Sequence, residues 1–64
     1  MKYSEFVDRG LCVDEFGKIY DEELNEYRNE KGNIEYLKVS KGFLLDVWRT
    51  QHVDIKQALL KEVN

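Results

Sequence analysis

Proline is absent from the chain, and cysteine, histidine and tryptophan occur once each. Each scarcity closes a route. With no proline, no low-complexity stretch and no internal repeat, nothing marks a linker or a second domain, so residues 1–64 read as a single small domain. Cys12 has no cysteine to pair with, and with His52 as the sole histidine there is no Cys/His set to hold a structural zinc. The longest apolar run is Phe43-Leu44-Leu45, far short of the ~20 residues of a membrane helix. Residues 1–20 carry Lys2, Glu5, Asp8, Arg9, Asp14, Glu15 and Lys18, which leaves no apolar core for a signal peptide. No export and no membrane partner are expected, and a lone cysteine suits a reducing cytoplasm.

A chain of 64 residues stands near the size at which one core barely offsets chain entropy. Lacking disulfides and zinc, it has self-association as the remaining common remedy. Net charge is −3 and is unevenly spread: residues 1–31 hold five Lys and Arg against nine Asp and Glu, whereas residues 32–64 hold five against four. Nucleic-acid binders draw much of their affinity from cations that neutralise phosphates, so this balance argues against general nucleic-acid affinity.

Glycines at 10, 17, 32 and 42 punctuate the chain. Tyr3, Phe6 and Val7 follow helical spacing, with Gly10 placed to end a short helix. Asp14-Glu15-Phe16-Gly17-Lys18 reads as a tight turn between two extended pieces, or Phe16 and Tyr20 begin the helix that follows. Asp21 to Lys31 reads as a helix, with Asp21 as its N-cap, acids in the first turn and Gly32 beyond its end. Asn33 to Val39 is rich in β-formers, but Ile34 and Leu37 also fit a helix. Ser40 caps a helix through Gln51. Asp54 with Gln57 resembles a capping box, with Val53 and Ala58 as its staple, for a last helix to Val63. The competing pattern is one helix from Lys41 to Val63; two helices broken near His52 are favoured. The fold class expected is mainly α, a small helical domain with a short β element around residues 33–39, or α+β.

The densest apolar feature is Phe43, Leu44, Leu45, Val47 and Trp48 within six positions. With Phe43 at zero, Val47 falls at about 40°, Leu44 at about 100°, Trp48 at about 140° and Leu45 at about 200°, roughly twice the usual core-facing stripe. One side of such an arc can meet the chain's own core and the other a partner. Phe43, Leu44, Val47 and Trp48 are the expected contact residues. Glu22, Glu26 and Glu30, at i, i+4 and i+8 of the expected acidic helix, would steer a basic partner, although an ordinary solvated face explains them too.

Catalytic chemistry finds little support. Cys12, flanked by Leu11 and Val13, reads as core filler, and His52 as a residue of the inter-helix turn bonding backbone carbonyls. Gly10 and Gly17-Lys18 fail as a phosphate loop, because six residues separate the glycines where four are needed and Ile19 stands where Ser or Thr is required. No nucleophile–base pair, metal-ligand set, cofactor site or small-molecule site is expected. The sequence thus predicts a noncatalytic, small acidic cytoplasmic protein that acts as a protein-interaction module (adaptor, inhibitor or regulator) and forms a homodimer through its C-terminal apolar segment. The alternative is a dimeric DNA-binding regulator of ribbon-helix-helix or helix-turn-helix type, because a strand at 33–39 followed by two helices has that order. Its cations are few: Lys38 on the strand, and Lys56 and Lys61 opposed by Glu62 on the last helix.

Overall fold

A computed structural model describes residues 1–62, with side chains to residue 60. Helix α1 spans Tyr3–Asp8 and buries only Phe6. Gly10, at φ +64°, ends it: the Gly10 N–H donates to Val7 O at 3.1 Å and the Leu11 N–H to Phe6 O at 3.3 Å. This pair of bonds satisfies carbonyls at the helix end and turns the chain toward the sheet. Strands β1 (Cys12–Val13) and β2 (Ile19–Tyr20) pair antiparallel, Cys12 opposite Tyr20 and Val13 opposite Ile19.

The turn at Asp14, one of the two readings the sequence left open, joins them. Asp14 Oδ1 accepts the N–H groups of Phe16 and Lys18, each at 2.9 Å, and the Gly17 N–H donates to Asp14 O at 3.1 Å. Gly17, at φ +92°, supplies the conformation that an L side chain resists. The same device then recurs. Asp21 Oδ1 accepts Glu23 and Asn25 N–H, with Leu24 at φ +67°; Asn29 Oδ1 accepts Lys31 and Asn33 N–H, with Gly32 at φ +80°.

These turns overturn the helix expected over Asp21–Lys31. Asp21 does cap backbone N–H groups, but of a chain reversal, because short Asx side chains that bond N–H groups two and four residues on offer the backbone an alternative to helix. Segments 18–20, 26–28 and 34–36 instead pair in a cycle, through bridges Tyr20–Glu26, Arg28–Ile34 and Lys18–Tyr36. At the centre the Tyr27 N–H donates to Ile19 O, the Glu35 N–H to Tyr27 O and the Ile19 N–H to Glu35 O, at 3.1, 3.4 and 3.2 Å. The strand segments therefore recur every eight residues, which corrects the expectation that the chain holds no internal repeat; the apolar residues do not mark it. Residues 34 and 36 of the expected β element belong to it.

Beyond the ring, Ser40 Oγ accepts the Phe43 N–H at 3.3 Å and caps helix α2 (Lys41–Thr50), as expected. Helix α3 spans Val53–Glu62, so the break falls where two helices were favoured. Its first turn is held by His52 rather than Asp54: His52 Nδ1 accepts the Asp54 N–H at 3.2 Å and His52 O accepts the Lys56 N–H at 3.1 Å. The imidazole thus accepts an N–H instead of bonding carbonyls. The expected helix end at Val63, and the side chains of Lys61 and Glu62, lie outside the described residues.

Three helices and a two-stranded sheet give the small, mainly α or α+β architecture that was expected. Alternation along each strand separates two clusters. On one face Val13 and Ile19 pack with Met1, Phe6, Leu37 and Val47; on the other Cys12 and Tyr20 pack with Leu59, backed by Trp48 and Ile55. Cys12 is buried filler, as expected. The outer edge of β1 is closed by a side chain: the Val13 N–H donates to Gln51 Oε1 and Gln51 Nε2 donates to Val13 O, both at 2.7 Å. The primary amide imitates one residue of a neighbouring strand and covers the edge.

Gln51→Ala leaves both Val13 groups without their partner and is expected to lower unfolding free energy by about 2 kcal/mol in urea titrations. An unchanged midpoint would show that water replaces the amide at no cost. Among glycines, Gly17→Ala is expected to destabilise by about 1–2 kcal/mol because of its positive φ. Gly42→Ala, inside α2 with open space around the added methyl, is expected to stabilise by about 0.5 kcal/mol. Matching effects from the two substitutions would refute the backbone argument.

Candidate interaction surface

Helix α2 has the apolar arc read from the sequence, and its middle faces inward. Val47 is buried in the first cluster, Trp48 packs half-buried against the second, and Leu44 rests half-buried over the Asp14 turn. Val47 is therefore withdrawn as a contact residue: it lies inside the arc, between Phe43 and Leu44, and packs with Val13 and Ile19 of the sheet. Trp48 is likewise turned largely toward Cys12, Tyr20 and Leu59. The two flanks protrude, with Phe43 41 % exposed and Leu45 48 % exposed. Phe43 meets the Tyr3 ring edge-on, centroids 4.9 Å apart at 81°, which joins this flank to α1.

On the Leu45 flank stands Phe16, 67 % exposed at the third position of the Asp14 turn. Glu15, Phe16, Lys41, Leu44 and Leu45 line a cleft of about 270 Å³. The two walls touch at Gly17, where an added Cβ would lie 3.4 Å from Leu44 Cδ2, within ordinary contact distance. One wall is thus the turn, fixed by the Asp14 carboxylate, and the other is the first part of α2, fixed by the Ser40 cap. Neither Glu15 nor Lys41 has an ion-pair partner among the described residues. Phe16, Leu45, Glu15 and Lys41, which line this cleft, were not among the residues singled out from the sequence as contacts. The signal for Phe16 was present: the third residue of an Asp-x-x-Gly turn projects outward.

The acidic row is dispersed. Glu26 lies on a ring strand, where its carboxylate meets the Lys18 ammonium and Arg28 Nη2, the latter at 3.5 Å. The hydrogen bond and charge of Lys18 hold the Glu26 carboxyl below its ordinary value, and the hydrogen bond to Glu26 raises the Lys18 ammonium. Lys18 Nζ also sits 5.5 Å from the Tyr20 ring centroid. Glu22 and Glu30 occupy equivalent second positions of successive turns and are exposed. Helical spacing no longer relates the three. Glu30 borders a larger depression of about 490 Å³, but its walls alternate Glu5, Glu30 and Glu35 with Arg9, Arg28 and Lys31, which offers no charge of one sign to a ligand.

Among the described residues no group of three or more His, Cys, Asp and Glu side chains could hold a metal ion. No helix among them is long and apolar enough to cross a membrane. Comparison with protein-family models, curated proteins and solved structures finds no match to this chain.

Burial raises the Cys12 thiol above its ordinary value, and the charges of Asp21 and Glu22 push it the same way. The thiolate is the reactive form, so at pH 8 the native thiol is expected to react with an aromatic disulfide reagent at least about tenfold more slowly than in urea. Rapid stoichiometric labelling without denaturant would contradict the packing of Cys12 against Tyr20 and Leu59.

Proposed function

We propose that the chain works without catalysis, as a cytoplasmic protein-binding module whose contact surface is the cleft between the Asp14 turn and the first part of α2. The supporting observation is Phe16, an aromatic ring 67 % exposed to water on a turn held by hydrogen bonds from four backbone and side-chain groups. Burying such a ring is worth about 1.5–3 kcal/mol, and pre-ordering it lowers the entropy lost on binding. Rigid aromatics that fill a pocket are the usual anchors of protein interfaces. The cleft suits a side chain: about 270 Å³ falls below the roughly 300–1,000 Å³ of small-molecule sites. The buried free thiol of Cys12 is consistent with a reducing compartment.

The DNA-binding alternative draws less support. A ribbon-helix-helix dimer pairs its strand with that of the other subunit, whereas here residues 34 and 36 are bridged to residues 28 and 18 of the same chain. Lys56 donates its ammonium to Arg49 O at 3.1 Å, which engages one of the few cations on α3.

The test is to place a photoreactive phenylalanine at position 16 and irradiate the protein in its native cell extract. Adducts to protein are expected, and they should vanish when Leu45→Asp is added. Phe16→Ser should leave folding stability within about 0.5 kcal/mol of wild type, as for surface positions that serve no packing role. Absence of any protein adduct at position 16 would sink this reading.

A further inference from the structure

The two walls of the cleft carry opposite complements. The turn wall presents an aromatic ring, Phe16, beside an acid, Glu15; the helix wall presents Leu44 and Leu45 beside a base, Lys41. Within one chain the walls do not satisfy each other. Phe16 and Leu45 remain largely in water, and neither Glu15 nor Lys41 is ion-paired among the described residues. A foreign partner of single charge would match one rim and repel the other. A surface whose two halves complement one another meets the requirement of an isologous contact, in which the same patch serves both partners.

We propose that the cleft binds a second copy of this chain across a two-fold axis running along its floor, with Phe16 of each copy against Leu44 and Leu45 of the other and Glu15 of each paired with Lys41 of the other. This rests on the reading of the cleft as a protein-binding surface and names its occupant. An axis in the contact plane, running between the walls, carries the turn wall of one molecule onto the helix wall of its mate. The apolar strip then closes over itself, and both ion pairs form at its rim. The contact is small for a protein interface, and interfaces below about 1,200 Å² in total are transient, so the dimer belongs to the micromolar to millimolar range. Added salt weakens it, since the rim pairs are solvent-exposed.

Sedimentation equilibrium at low salt, over a series reaching about 1 mM, tests the arrangement on four samples: wild type, Glu15→Lys, Lys41→Glu and an equimolar mixture of the two variants. Wild type is expected to dimerise. Each variant alone juxtaposes like charges twice across the axis and should associate at least about tenfold more weakly. The mixture restores both attractive pairs between unlike molecules and should regain wild-type association. An intramolecular Glu15–Lys41 contact could not produce that rescue. A wild type that stays monomeric throughout overturns the proposal, as does a dimer that all three altered samples retain unchanged. Failure here is distinguishable from failure of the binding reading: a monomer whose photoreactive position 16 still joins a different protein, in a manner abolished by Leu45→Asp, loses only the second copy.

Discussion

Asp14 holds its surroundings in place from inside the protein. Its carboxylate is 4 % exposed, and Oδ1 takes the N–H groups of Phe16 and Lys18 while Oδ2 accepts the Tyr20 hydroxyl at 3.2 Å. Each donor leads to a different part of the fold. Fixing Phe16 sets one wall of the cleft, and the reversal through Gly17 brings the turn against Leu44. Fixing Lys18 aims its ammonium at Glu26 across the ring, and holding the Tyr20 hydroxyl orients a ring that packs with Cys12 and Leu59. A buried carboxylate is stable only when its lone pairs are met. The sheet, the ring and the surface patch therefore share one condition, that the turn stays closed.

What could be read from the sequence divides along the range of the forces involved. Gly10, the Asp14 turn and the Ser40 cap are local devices, in which a residue's own chemistry decides the conformation of its neighbours, and each was legible. The break before α3 was legible for the same reason, although the capping atom is on His52. Residues 21–31 misled because acids near a start and Lys31 before Gly32 look alike for a helix and for two successive reversals. The deciding fact is non-local: backbone groups of Tyr27 meet Ile19 and Glu35, eight positions away on either side. The turn residues did recur, Asp14-Glu15, Asp21-Glu22 and Asn29-Glu30 at spacings of seven and eight, while the apolar residues around them show no such recurrence.

At the surface, the width of the α2 arc was informative and its assignment was not. An arc near 200° must leave something uncovered. Which part remains uncovered depends on where the sheet lies, and the sheet and its clusters meet the inner part of the arc, at Val47, Leu44 and Trp48. Phe43 and Leu45 consequently flank the buried stripe on both sides. Phe16 escaped notice because an isolated aromatic in a charged loop resembles a core residue until the turn is known to point it outward.

The staple between Gln51 and Val13 spans 38 residues, whereas the ring closes through contacts of eight and sixteen. Short loops close with less entropy lost than long ones, so the meander of turns can organise while α2 and α3 are still detached. The Gln51 amide, by contrast, has nothing to grip until β1 lies against β2. Loop-closure entropy thus favours the meander forming first and the helical pair docking last. A chain emerging from the ribosome in the same direction would present the template before the piece that completes it.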